Sequence, residues 1–117
     1  MKYLIAFIPP EQLMRVKEAL IALHIQGMSI SDARGFGQEH DVAHPEHHEF
    51  VGIELVKKTR IDVVCRDDEA DTALEAIYRA AHTGHRGDGK VFVLPVLDAL
   101  RLKTGERGED ALGPKPG

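Results

Sequence analysis

Tryptophan is absent, cysteine occurs once, and aromatic residues make up only 5% of the 117-residue chain. A lone cysteine rules out an internal disulfide and suits a reducing compartment. Cys65 sits in the apolar run "IDVVC" and reads as a core strand residue. Positive charge is not in excess: 15 Lys and Arg stand against 19 Asp and Glu, a formal net charge of -4. With two Tyr and four Phe, the chain lacks the basic face and stacking aromatics of a nucleic-acid binder. No apolar run reaches the roughly 20 residues of a spanning helix, and "MKYLIAFIPP" shows no signal-peptide pattern. The expectation is a cytoplasmic protein, not itself embedded in a membrane, whose partners are small ligands and proteins rather than nucleic acid.

What is present suffices for one modest core, since 43% of residues are hydrophobic. "YLIAFIP" is an apolar run of strand length that ends at the pair Pro9-Pro10, a pair suited to starting a helix. Leu13, Val16, Leu20 and Leu23 then recur at spacings of three and four, which predicts an amphipathic helix stopped at Gly27. "MSISDARGFG" alternates as a second strand. Residues 38–49 carry neither period. "FVGIELVKKTRIDVVC" returns to strand character, with a break expected near Lys57-Lys58. A second helix follows, capped by Asp67 or Asp68, striped by Ala73, Leu74, Ile77 and Ala81, and stopped at Gly84. "KVFVLPV" is the fourth strand and "LDALRLKTGERGED" a short closing segment.

Strand–helix–strand twice over predicts an α+β fold, a ferredoxin-like βαββαβ sandwich with an antiparallel sheet and both helices on one face. Residues 1–112 would form a single domain, and "GPKPG" (113–117) a disordered tail. The second sheet face then needs a cover, which a closed oligomer supplies.

Chemistry concentrates in two places. "TGHRGDGKVFV" sets three glycines around Asp88 and ends in Lys90. Gly87-Asp88-Gly89 can turn backbone N–H groups into an anion nest, with Lys90 adding a point charge; a plain helix-to-strand turn with a solvent lysine fits the same letters. It is not a Walker loop, because the glycines precede a strand and no Ser or Thr follows the lysine. "RGFG" is a second glycine-flanked turn, and Arg86, Lys90, Arg101 and Lys103, the last two spaced two apart on an extended segment, are candidates for one cationic pocket; scattered solubilising charges fit the same letters. The second place is "QEHDVAHPEHHEF", where His40, His44, His47 and His48 lie among carboxylates. These are ligand types for a divalent metal such as a transition ion, although an acidic loop with chance histidines has the same composition. No nucleophile–base arrangement emerges, so the chain does not read as an enzyme; slow ATPase activity stays open.

Taken together, "IQGMSISDARGFG", "RIDVVC", "AAHTGHRGDGKVFVLPV" and "LRLKTGERGEDAL" resemble the PII signal-transduction superfamily across residues 1 to 112. The resemblance implies a homotrimer that binds ATP or ADP between subunits, with AMP as a further candidate. It also implies a T-loop, residues 38–57, that grips a target such as a membrane transporter. By position it assigns the phosphates to Gly87, Asp88, Gly89 and Lys90 with Arg101 and Lys103, and the ribose to Gly27, Met28 and Ser29. The adenine would fall among Gly35, Phe36, Gly37, Asp62 and Val64. Gln38 and Lys103 stand where the family has arginines, which keeps the charge at 103 and loses the bidentate fork. Val51 stands where the family has a modifiable tyrosine. Glu39 replaces a glutamine that helps hold Mg²⁺ and 2-oxoglutarate, while Lys58 of that subsite remains. The implied function is a nucleotide-sensing regulator with a divergent loop; an orthodox nitrogen regulator responding to 2-oxoglutarate is the alternative, and a trimer of this fold without nucleotide is a third.

Overall fold

The computed structural model describes residues 1–25, 27–36 and 55–114. Strands β1 (Lys2–Ile8), β2 (Met28–Gly35), β3 (Val56–Cys65) and β4 (Lys90–Pro95) form one sheet in the order β2-β3-β1-β4, every neighbouring pair antiparallel. Helices α1 (Leu13–Ala22) and α2 (Asp67–Ala81) complete the βαββαβ order. This is the ferredoxin-like sandwich the alternation predicted.

Period-2 alternation decides which side chains the helices cover. Leu4, Ala6 and Ile8 of β1 and Ile61, Val63 and Cys65 of β3 are buried together with Val16 and Leu20 of α1 and Ala73 and Ile77 of α2. Their alternates, among them Tyr3, Ile5, Phe7, Asp62, Val64, Phe92 and Leu94, fall on the opposite face. There Phe7 and Phe92 meet edge to face, 6.4 Å between centroids, and the Arg60 guanidinium lies 5.7 Å from the Phe7 ring centre. Phe92 remains 50% exposed on this face.

Local boundaries differ from the sequence reading for identifiable reasons. α1 ends at Ala22 rather than running to Gly27. His24 takes a left-handed φ of 63°, and its N–H donates to the Ile21 carbonyl while that of Ile25 donates to Leu20. These bonds make a Schellman end with histidine where glycine is usual, closed by the core pair Leu20 and Ile25. β3 runs unbroken through Lys57-Lys58, because both residues pair with β2 opposite Arg34 and Ala33. α2 is capped by Arg66, not by either aspartate. Its N–H donates to Glu69 Oε1 at 2.9 Å and its carbonyl accepts from the Glu69 N–H, while Asp67 pairs with the Met1 ammonium at 2.9 Å.

The closing segment is not extended. Leu100 bridges to Arg107, and the Gly105 N–H donates to the Arg101 carbonyl at 2.8 Å, so residues 101–105 turn back on themselves. Asp98 holds the base of this hairpin through Arg107 and the N–H groups of Ala99 and Gly108. A 3-10 turn over Gly108–Leu112 follows. The frayed tail expected from residue 113 does not begin there: Gly113 is buried, and its carbonyl accepts a 2.6 Å bond from Arg66.

Candidate functional site

Two clefts, one at each end of β2, hold the described candidate residues other than Lys103. The first is built on the glycine turn between α2 and β4. Gly84, Gly87 and Gly89 have φ of 84°, 90° and 103°, values that favour glycine. Gly89 is under the tightest constraint, because a Cβ there would lie 1.8 Å from the Phe7 carbonyl oxygen of β1. The turn is tied from inside by Asp88, whose carboxylate accepts from the Thr83 N–H (2.7 Å), the Thr83 hydroxyl (2.5 Å) and the Gly84 N–H (2.9 Å). The hydroxyl bond, then the amide bonds, hold the Asp88 carboxyl below the usual carboxylate range. Asp88 therefore spends most of its side-chain bonding on the turn.

Lys58 reaches over from β3 and donates to the Gly87 carbonyl at 2.9 Å. With Arg34, Arg86 and Lys90 it makes the wall of this cleft cationic, and Gly35, Phe36, Phe7 and Phe92 supply an apolar floor. The volume is about 840 Å³, the size of a small-ligand site. Cationic side chains over an aromatic floor suit an anion attached to a flat apolar group.

The second cleft, about 640 Å³, lies at the far end of β2. Gly27, Met28 and Ser29 form one side, Asp62, Val64 and Cys65 the floor, and Arg66, Arg101, Ala111 and Leu112 the wall. Asp62 is held by three donors: the Tyr3 hydroxyl at 2.5 Å and the Arg60 Nε and Nη2 at 2.9–3.1 Å. The Arg60 guanidinium, then the Tyr3 hydroxyl, keep the Asp62 carboxyl below its ordinary range. Burial and the nearby Glu69 push the Cys65 thiol up to about 11, so it stands here as a neutral wall rather than a nucleophile.

One chain thus divides the assigned residues. Gly35 and Phe36 join Gly87, Asp88, Gly89 and Lys90 in the glycine-turn cleft, while Gly27, Met28, Ser29, Asp62, Val64 and Arg101 gather in the other. Ser29 and Gly35 are six residues apart on β2, about 20 Å at ~3.3 Å per residue. Lys103 is exposed in the turn that follows Arg101. Gly37, Gln38, Glu39, His40, His44, His47, His48 and Val51 lie outside the described residues. Among the described residues, no group of three or more His, Cys, Asp or Glu side chains is placed to hold a metal, and no helix is long and apolar enough to cross a membrane.

The sequence reading did not single out Tyr3, Arg60, Arg34 or Arg66. Strand pairing brings the first two to Asp62: Ile5 lies opposite Asp62, flanked by Tyr3 and Phe7 opposite Val64 and Arg60. The Arg60 contact could have been read from its i, i+2 spacing to Asp62 on one strand, whereas only the sheet register carries the signal for Tyr3.

The architecture defines a small ferredoxin-like α+β protein with two anion-compatible clefts at opposite ends of its sheet. The sequence profile described as "Nitrogen regulatory protein P-II" matches residues 1–106, and the chain belongs to that family. It is 44% identical over 115 residues to the nitrogen regulatory protein P-II of Azospirillum brasilense, covering 96% of this chain and 100% of the relative. Identity to P-II 2 of Methanothermobacter thermautotrophicus is 38% over 112 residues, covering 96% and 97%. The crystal structure of Arabidopsis thaliana PII bound to citrate is similar with a TM-score of 0.77 at 35% identity, covering 94% of this chain and 90% of that one.

Proposed function

We propose that this P-II family regulatory protein responds to adenine nucleotides, binding ATP, ADP or AMP between two copies of itself. Through residues 38–57 it then acts on a partner protein, a membrane transporter. The observation that carries the reading is the division of the site. The glycine-turn cleft offers a backbone nest and lysines to phosphates, and the other offers Asp62, Val64 and Arg101. About 20 Å of strand separates them within one chain, so one nucleotide uses both only when neighbouring copies contribute one cleft each.

The surfaces beside the clefts support the same reading. Leu97, Leu100 and Leu102 flank Arg101 with exposures of 96%, 57% and 92%. An apolar arm so exposed is costly in a lone chain and fits burial against a second copy, as in a cyclic trimer. The reading assigns no catalytic residue.

Calorimetric titration of ATP, ADP and AMP, with and without Mg²⁺, into wild type and Lys90→Ala tests it. Saturable binding is expected, weakened at least about tenfold in Lys90→Ala by loss of a charge-assisted contact. Absence of binding by all three nucleotides would overturn it.

The relatives are nitrogen regulatory proteins, which favours a second reading as a nitrogen regulator; we propose for it 2-oxoglutarate as effector and ammonium transport or nitrogen assimilation as target. Lys58, which donates to the Gly87 carbonyl, carries a charge that would attract such a dicarboxylate, whereas Glu39 would repel it. Adding 2-oxoglutarate to the Mg-ATP titration separates the two: tight, nucleotide-dependent uptake supports the second reading.

A further inference from the structure

Arg66 is a charged residue only 8% exposed, placed at the N-cap of α2. Both facts run against expectation. N-caps favour Ser, Thr, Asp and Asn, and the helix dipole disfavours a cation at this end. Glu69 lies 3.8 Å from Arg66 Nη1 and offsets part of that cost. The shortest bond of the guanidinium goes elsewhere, from Nη2 to the Gly113 carbonyl at 2.6 Å.

Gly113 closes the 3-10 turn Gly108–Leu112 with a φ of 93°. Two residues earlier, the Ala111 carbonyl accepts from Arg101 Nε at 3.3 Å. Arg66, Arg101, Ala111 and Leu112 all line the same cleft. The C-terminal end of this turn is therefore held by one buried guanidinium through Gly113 and itself holds a second through Ala111.

We propose that Arg66 is a positioning residue for the nucleotide site: by pinning Gly113 it seats the C-terminal turn, and through the Ala111 carbonyl it orients Arg101 in the cleft. This role rests on the nucleotide reading above. Arg66 lines the same cleft but spends its guanidinium on Gly113 and Glu69, so its loss is expected to be felt through Arg101.

The test is a double-mutant cycle read by calorimetric titration of ATP into wild type, Arg66→Ala, Arg101→Ala and the double variant. Amide exchange at Ala111–Gly113 is followed in parallel. Arg66→Ala is expected to weaken ATP about tenfold and to speed exchange in the turn. The double variant should bind within about twofold of Arg101→Ala alone, since both changes remove one effect. Arg66→Lys, which keeps a long cationic donor for Gly113, should recover part of the loss. If Arg66→Ala does not fold, Arg66→Met, which keeps the length of the side chain without a donor for Gly113, carries the same cycle.

Additive losses in the double variant would overturn the proposal. So would ATP affinity in Arg66→Ala within about twofold of wild type. A wild type that binds no adenine nucleotide removes the function itself and this role with it. Wild-type binding with an unaltered Arg66→Ala removes the role alone.

Discussion

The two clefts are built on different principles. The glycine-turn cleft is shaped by backbone: positive φ values, a Gly89 with no room for a side chain under the Phe7 carbonyl, and an aspartate whose bonding partners lie four and five residues away. The other cleft is shaped by side chains from distant parts of the chain. Tyr3 and Asp62 are 59 residues apart, Arg66 and Gly113 47 apart. The first is a local device that a short peptide motif can specify. The second exists only once β1, β3 and the C-terminal turn have docked.

The largest expected effect probes the backbone-built side. Gly89→Ala forces a Cβ into the β1 backbone at a φ of 103° and should cost at least about 3 kcal/mol in urea unfolding. A loss under about 1 kcal/mol would show that the turn can relax and that its rigidity has been overstated.

Tyr3→Phe probes the side-chain-built end more gently. It removes one hydrogen bond to the Asp62 carboxylate, for about 1.5 kcal/mol, because the Arg60 fork remains. The glycine turn should keep its amide exchange protection in this variant. Loosening at both ends would mean that the clefts are not independent.

The smallest effect is on acid stability. Asp62 and Asp88 both have carboxyls held below their ordinary range in the folded protein. Each therefore contributes stability that is fully present above the unfolded aspartate value of about 3.9 and is lost as pH falls through its lower folded value. Between neutral pH and about pH 5 neither group should change the unfolding midpoint; below about pH 4 both should lower it. Thr83→Ala should flatten the part of this acid dependence that belongs to the turn, and Arg60→Ala the part that belongs to Asp62. If either variant left the acid dependence unchanged, its aspartate would not be the group that titrates.

Much of the fold was legible because hydrophobic period follows directly from which face is buried. The runs "YLIAFIP", "RIDVVC" and the stripe Ala73, Ile77 and Ala81 declared strand and helix, and their order implied the sandwich. Boundaries were less legible where a residue outside the usual preference does the work. His24 ends α1 in a conformation commonly taken by glycine, and Arg66 caps α2 from a position where aspartate was expected. In both cases tertiary contacts outweigh local propensity: the Leu20–Ile25 pair buries the first end, and the Gly113 carbonyl holds the second.

The candidate site divides along the same line. The turn at "GDGK" could be recognised from letters alone because its ties run between residues four and five apart, so spacing along the chain is also spacing in the fold. The partition of the remaining residues could not be read that way. Gly35 and Asp62 look equally available in the sequence, yet antiparallel pairing places Gly35 opposite Val56 and Asp62 opposite Ser29, at the two ends of β2. The order of elements and the chemistry of the glycine turn were determined by the sequence through local periodicity and local backbone freedom. The separation of the two clefts, the Tyr3 bond to Asp62 and the seating of the C-terminal turn were decided by strand register and docking, which bring together residues whose distance along the chain carries no trace of their distance in space.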